Sequence, residues 1–138
     1  MDEQQNKKRD WIERAHWFAV AVLKVVNRLP DTNAGRAMGW QMAKSGPSVV
    51  HNLEEALGAA TLPDTYNKTV TSRKEVRECR RSLLIVRDAG LLPAKEVEWH
   101  IQEATEILAM LIAGTKRLDA RIQADKAMRR VKRRNRTE

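Results

Sequence analysis

The sequence predicts an all-α protein, an antiparallel up-down-up-down four-helix bundle with an extended basic C-terminal helix or tail. Six Gly and four Pro among 138 residues leave little room for turns. Apolar residues recur at alternating steps of three and four along four long segments, the spacing of helices that pack nearly parallel to their neighbours. Because the links between these segments are short, consecutive helices are expected to pack antiparallel.

The first helix is predicted from Asp10 to Leu29, with Asp10 as its N-terminal cap and Pro30 closing it. Residues 1–9 are expected to form a flexible N-terminus ahead of the bundle. One face of the helix carries an apolar stripe that should line the core. This stripe consists of Trp11, Ala15, Phe18, Val22, Val25 and Leu29.

The second helix is predicted to begin near Thr32 or Asn33, after the turn sequence "PDTNAG". It contains Pro47, which lacks an N–H donor and clashes with the preceding helical turn. We therefore expect a kink or a short break around Ser45 to Ser48. The hydroxyls of these two serines could bond backbone groups freed at the break.

The third helix is predicted from Tyr66 to Ala89, with Gly90 as its stop. Its apolar seam consists of Val76, Cys79, Leu83 and Val86. The fourth helix has the most regular pattern: Val97, Ile101, Ala104, Leu108, Leu111, Thr115, Leu118 and Ile122. No stop signal precedes the basic C-terminus, so this helix is expected to continue past Met128.

The segment Lys126–Glu138 carries most of the net positive charge. It has seven Lys or Arg and one acid, a net charge of +6 out of the +8 of the whole sequence. We assign residues 10–125 to the bundle and 126–138 to this basic tail. A concentrated positive field attracts polyanions, and nucleic acid is the leading candidate partner. The candidate binding residues in the tail are Lys126, Arg129, Arg130, Lys132, Arg133, Arg134 and Arg136.

Two other interpretations of the tail stay open. Like charges repel one another, so the segment could be a disordered tail that only aids solubility. It could also contact an anionic membrane surface, but Met128 and Val131 offer too small an apolar face for a stable interfacial helix. The prediction is therefore RNA or DNA as the partner, without a membrane.

A second group of cations lies along the third helix and could form a phosphate-binding face. Its members are Arg73, Lys74, Arg77, Arg80 and Arg81, and Arg36 and Lys44 of the second helix complete the candidate set. The alternative is an ordinary solvated face, in which acids neutralise the cations through pairs such as Lys74 with Glu78. The sequence leaves both interpretations open.

The sequence holds no catalytic motif, and we predict that the protein is not an enzyme and needs no cofactor. It lacks a glycine-rich phosphate loop, a nucleophile elbow and paired cysteines. Glu13 and His16 form half of a di-iron bundle site, which needs a second such pair and two further carboxylates. No catalytic residue or metal ligand is therefore predicted.

The apolar run from Ala15 to Leu23 is too short to span a membrane, and we expect a cytoplasmic protein. Four Trp residues are an unusual share of the aromatic residues. Trp11, Trp17, Trp40 and Trp99 could stack on bases, but their helical spacing favours packing in the core or at a subunit interface.

Three stretches carry a family resemblance: "LPDTNAGRAMGWQMAKSGPSVVHNLEEA", "RKEVRECRRSLLIVRDAGLL" and "LIAGTKRL". From Asp10 to Leu118 the chain resembles a four-helix-bundle family. That family includes proteins encoded in intervening sequences of 23S ribosomal RNA genes and the accessory variability determinants of diversity-generating retroelements. The chain departs from the family pattern at Pro47 and in the entry to the third helix, "LGAATLPDTYNKTVTS".

The resemblance implies a non-enzymatic bundle that assembles into a ring-shaped homopentamer. In the retroelement branch, it implies a ring that binds nucleic acid and a reverse transcriptase through basic residues. The preferred interpretation is an accessory subunit of such a reverse transcriptase. The alternative is a structural or scaffold protein of the ribosomal RNA intervening-sequence branch that acts through protein–protein contacts.

Overall fold

The structure, a computed structural model, describes residues 3–138, with side chains for residue 3 and residues 9–138. It contains four long helices: α1 (Glu3–Arg28), α2 (Asn33–Leu57), α3 (Leu62–Asp88) and α4 (Glu98–Thr137). A short 3-10 helix, Ala94–Glu96, precedes α4. No strand occurs between residues 3 and 138. The prediction of an all-α four-helix bundle is confirmed.

The core lies along the common axis of the helices. Helix α2 packs between α1 and α3, and α3 packs between α2 and α4, whereas α1 and α4 pack against each other less extensively than the other neighbouring pairs. The fully buried side chains include Phe18, Met42, Leu83 and Leu111, one from each helix. All four residues of the predicted α3 seam are buried. Each helix therefore contributes an apolar face, as the spacing predicts.

Threonine side chains cap two helices. The Thr32 hydroxyl accepts a hydrogen bond from the N–H of Gly35 (3.0 Å), which confirms the predicted start of α2. The Thr61 hydroxyl accepts from the N–H of Asp64 (3.2 Å) and donates to its carboxylate (2.8 Å). At the other end of α3, Gly90 has a positive φ of 68°, the conformation that a helix stop requires.

Two predicted helix starts are wrong. Helix α1 begins at Glu3, so Asp10 lies inside it and is not its cap. The Glu, Gln, Lys and Arg residues before Asp10 are strong helix formers, and they extend the helix through the part of the predicted flexible segment that is described. Residues 1–2 of that segment lie outside the described residues. Helix α3 begins at Leu62 rather than Tyr66, because Thr61 caps it and Pro63 fits its first turn.

The predicted short break around Pro47 is also wrong, since α2 is helical without interruption from Asn33 to Leu57, and the alternative of a kink stays a prediction. Neighbouring helices hold this segment from two sides. A Cβ on Gly46 would lie 3.0 Å from a Val22 methyl of α1, and the Ser72 hydroxyl of α3 donates to the Val49 carbonyl (2.7 Å). Tertiary packing therefore outweighs the local cost of the proline.

Candidate nucleic-acid interface

The basic C-terminus is helical and fully exposed. Helix α4 continues to Thr137, which confirms that it runs past Met128. Leu118 is its last buried residue, and every residue from Gln123 onward is exposed. We call residues 126–138 the α4 extension. At about 1.5 Å per residue, its helical part projects about 18 Å.

Local chemistry favours a helix in this extension. Lys, Arg, Ala and Met have high helix propensity, and cations near a helix C-terminus interact favourably with the helix dipole. The Thr137 hydroxyl donates to the Arg134 carbonyl (2.9 Å) in the last turn. The bundle supplies the preceding turns, so the extension needs no nucleation step of its own.

All seven predicted cations of the extension are exposed to solvent. Within the described residues, none of them forms an ion pair with a carboxylate. Lys126, Arg129, Arg130 and Arg133 share one side at helical spacing, and the other three cations widen this positive surface. The two large apolar side chains of the extension, Met128 and Val131, are also exposed. The extension therefore presents uncompensated positive charge along its length.

The structure divides the predicted cation group of α3 into two sets. Arg73 donates to the Thr115 hydroxyl and Arg80 to the Thr105 hydroxyl, both at 2.8 Å. These two arginines are partly buried and join α3 to α4. The remaining members of the group, Lys74, Arg77 and Arg81, are exposed. Two of the five predicted α3 cations therefore join helices, and the other three remain available for a ligand.

Direct ion pairing does not neutralise the exposed α3 cations. In the part of the chain that is described, Lys74 forms no salt bridge with Glu78, so that example of a solvated pair is not observed. On the same helix, Arg87 pairs with Asp88 (2.8 Å). The exposed α3 cations lie on the side of the bundle, whereas the α4 extension projects beyond its end.

The two candidate cations of α2 differ in their contacts. Arg36 pairs with Asp31 and also donates to the Asn33 side chain (2.8 Å). Lys44 is exposed and makes no salt bridge within residues 3–138. Arg36 is thus partly neutralised by the turn that precedes α2, and Lys44 is the more available of the two cations.

The only cysteine of the sequence is buried in the core. Burial raises the pKa of the Cys79 thiol to about 11. A thiol with this pKa is a poor nucleophile at neutral pH. Cys79 therefore functions as a small core residue.

Glu13, one residue of the half di-iron pattern seen in the sequence, makes a different contact. The Glu13 carboxylate accepts a hydrogen bond from the Trp17 indole (3.0 Å). Among the described residues, no group of three His, Cys, Asp or Glu side chains converges on a point where a metal ion would bind. None of the helices in residues 3–138 combines the length and apolar character that a membrane span requires.

Three of the four tryptophans lie on the surface of the chain. Trp17, Trp40 and Trp99 are 58%, 74% and 54% exposed, whereas Trp11 is partly buried against the core. Packing in the core of the subunit is therefore wrong for these three residues. Each stands off the apolar seam of its helix, and this offset is the sequence signal for exposure.

Two further exposed cations, Arg117 and Arg121, lie outside the predicted set. They lie one turn apart on α4, beside Leu118 and close to the base of the extension. Arg117 packs its guanidinium over the Trp11 ring, 5.8 Å from the ring centroid. Their i, i+4 spacing near the end of the apolar seam was the available signal.

The bundle has relatives among known proteins. The family model described as 23S rRNA-intervening sequence protein matches residues 7–113. A crystal structure of a protein with unknown function from the S23 ribosomal protein family of Bacteroides thetaiotaomicron superposes with a TM-score of 0.74 at 25% identity, covering 80% of this chain and 98% of that one. No curated protein matches the chain. The family match ends before the α4 extension begins.

Proposed function

Because the chain belongs to the 23S rRNA-intervening sequence protein family, we propose that it is a non-enzymatic protein that binds RNA or DNA through its α4 extension. The observation that supports this proposal most directly is the set of seven exposed cations, without an ion-paired acid among the described residues. Lys74, Arg77 and Arg81 of α3 form a secondary surface for the same ligand.

The charge distribution suits phosphate contacts rather than base reading. Arg and Lys neutralise backbone phosphates and release condensed counterions, so affinity falls steeply with salt and depends little on sequence. With about five phosphates neutralised on duplex DNA, raising salt from about 50 to about 200 mM weakens binding about 500-fold. A helix about 18 Å long has enough length for several such contacts.

Homo-oligomer assembly is part of the proposal, with the pentamer taken from the family resemblance. Five extensions would bring about thirty positive charges to one particle, at +6 for each. Linked sites raise the effective concentration of one another, so weak individual contacts would give strong overall binding. In this form the protein would act in the cytoplasm as the accessory subunit of a diversity-generating retroelement reverse transcriptase, holding nucleic acid beside it.

The proposal is tested by fluorescence anisotropy with a structured RNA, a single-stranded DNA and a duplex DNA at about 50 and 200 mM salt. The test variant replaces all seven cations of the α4 extension with Gln. We expect this variant to lose at least about a hundredfold in affinity at low salt, because most phosphate contacts disappear. Its melting temperature should stay close to that of the wild type, since all seven side chains are exposed.

A matched variant replaces Lys74, Arg77 and Arg81 with Gln. We expect it to bind more weakly than the wild type by about tenfold or less, since fewer charges are lost. Equal losses of affinity in the two variants would mean that the α4 extension and the exposed α3 cations form one interface. Failure of the wild-type chain to bind any of the three nucleic acids at low salt would refute the proposal.

The exposed tryptophans favour a second candidate, an oligomeric scaffold of the ribosomal RNA intervening-sequence branch that acts through protein–protein contacts. Trp is enriched at protein interfaces, and three such side chains lie on the surface here. Mass photometry tests the assembly: a pentamer of the 15.8 kDa chain has a mass of about 79 kDa. The scaffold is favoured if this assembly forms but no nucleic acid binds.

A further inference from the structure

An apolar cavity of about 580 Å³ lies at the end of the bundle from which the α4 extension departs. Parts of all four helices meet there: the early turns of α1, the last turns of α2, the first turns of α3 and the middle of α4. Its apolar wall is formed mainly by Trp11, Ile12, Leu53, Leu57 and Leu118. The cavity is separate from the cations of the proposed nucleic-acid surface.

The cavity has the size and lining of a small-molecule site. Ligand sites in proteins commonly have volumes of roughly 300–1,000 Å³, with apolar walls and a few polar groups that orient the ligand. Thr65 and Thr69 also line it, but their hydroxyls already donate to backbone carbonyls, Thr65 to Thr61 (3.1 Å) and Thr69 to Thr65 (2.7 Å). The neutral wall therefore suits an alkyl chain.

Two cations supply the polar part of the lining. Arg117 and Arg121 both contribute to the cavity and lie one turn apart on α4. Both are exposed, and neither forms an ion pair within the described range 3–138. The contact with Trp11 holds the Arg117 guanidinium against the apolar wall. An apolar wall thus adjoins two available positive charges.

From this arrangement we propose that the cavity binds a monoanionic amphiphile, an alkyl carboxylate of the fatty-acid class. The chain packs among Leu53, Leu57 and Leu118, where it is removed from water. Arg117 and Arg121 bind the carboxylate by charge-assisted hydrogen bonds, for which the guanidinium geometry is well suited.

Charge also decides against a second copy of the α4 extension as the occupant. That segment carries a net charge of +6, and it would enter a site that already holds two arginines. Its large apolar side chains are Met128 and Val131 alone, whereas the cavity wall is formed mainly by five large apolar residues. A carboxylate with an alkyl chain complements both the charge and the wall.

The test is isothermal titration of the full chain with dodecanoate below its micelle concentration, followed in parallel by tryptophan fluorescence. We expect one dodecanoate per chain. Hexanoate should bind at least about a hundredfold more weakly, because six buried methylene groups are lost. Dodecyltrimethylammonium, with the same chain and a positive head, should bind at least about tenfold more weakly than dodecanoate.

Two variants locate the site, each with a matched control on the same helix. Ala120 lines the cavity and is exposed, so Ala120→Phe should fill the space and abolish binding, whereas Ala124→Phe, one turn further along, should bind normally. The double variant Arg117→Gln with Arg121→Gln should weaken dodecanoate binding about tenfold or more. The double variant Arg129→Gln with Arg133→Gln should leave it unchanged.

Circular dichroism and thermal melting verify that each variant is folded. Equal affinity for dodecanoate and the cationic analogue would overturn the proposal, as would equal binding by Ala120→Phe and Ala124→Phe. No dodecanoate binding up to about 1 mM would also overturn it, because an alkyl chain buried in this cavity should bind more tightly than that. If the solvent exposure of Trp11 fell as protein concentration rose, in the absence of dodecanoate, another copy of the chain would occupy the cavity. That result would also overturn the proposal.

Discussion

The two ends of α4 share one backbone geometry but lie in opposite environments. From Glu98 to Leu118 the helix is part of the bundle, and its buried residues include Ala104, Ile107 and Leu111. In the α4 extension every side chain is exposed, and seven of them are cationic. The bundle part is held by packing, whereas the extension is held by helix propensity and by its continuity with the bundle.

The two parts of α4 therefore differ in role: the bundle part contributes stability, and the α4 extension contributes charge. Residues in the bundle part contribute mainly through apolar area removed from water. Residues in the extension contribute little to folding, so their charges are available for a ligand at small structural cost. Changes to the first part should therefore destabilise the fold, and changes to the second should alter what the protein binds.

The largest effect on stability is expected for Leu111→Ala, compared with Val131→Ala on the same helix. Leu111 is fully buried, so its truncation leaves a cavity and should cost about 2–5 kcal/mol in the free energy of unfolding. Val131 is exposed, and its truncation should change that free energy by less than about 0.5 kcal/mol. Urea denaturation measures both values.

If Val131→Ala proved as destabilising as Leu111→Ala, the extension would be packed against something in solution. The same measurement at several protein concentrations would then identify contact between copies of the chain, since oligomer contacts make stability depend on concentration.

A smaller effect is expected for two glycines of α2, and it measures how tightly the bundle part is packed. A Cβ at Gly46 would lie 3.0 Å from a Val22 methyl, so Gly46→Ala should destabilise by about 1–3 kcal/mol. A Cβ at Gly39 would lie 3.4 Å from the nearest Val26 methyl, an ordinary contact. Gly39→Ala should therefore stabilise by about 0.5–1 kcal/mol through helix propensity.

Thermal melting of the two alanine variants beside the wild type provides the comparison. Opposite shifts are expected, with the Gly46 variant melting lower and the Gly39 variant higher. A higher melting temperature for both variants would mean that α1 and α2 can move apart at no cost, and the close contact at Val22 would not limit packing.

The smallest effect concerns pH, and it belongs to the bundle part alone. Burial lowers the pKa of His100 below its usual value of 6.5, and the positive charge of Arg28 lowers it further. In the unfolded chain His100 takes up a proton as the pH falls through 6.5, before the folded chain does. Stability should therefore decrease as pH falls below 6.5, and His100→Gln should reduce that decrease.

Urea denaturation between pH 7.5 and pH 5.5 measures this slope, with His51→Gln as an exposed control. The slopes of the wild type and the His51 variant should agree, and the slope of the His100 variant should be shallower. An unchanged slope in the His100 variant would contradict the assignment.

Much of the bundle was predictable because its signals are local. Apolar spacing identified four helices, the α3 seam and the continuity of α4, since each depends on residues a few positions apart. The starts of α1 and α3 were missed for a related reason. In α1 the cap-like Asp10 gave a stronger signal than the run of good helix formers before it. In α3 the threonine cap is a weak signal, and helix boundaries are the least certain part of such a prediction.

The amino-acid sequence by itself determined the helical class, the seams and the excess of charge in the α4 extension, because these follow from composition and spacing along one chain. Tertiary structure alone decided that α2 passes Pro47 unbroken, that Arg73 donates a hydrogen bond to Thr115, and that the four helices line a partly open cavity beside Arg117. These features join groups tens of residues apart, so their free energies depend on helix packing, which spacing along one helix does not specify.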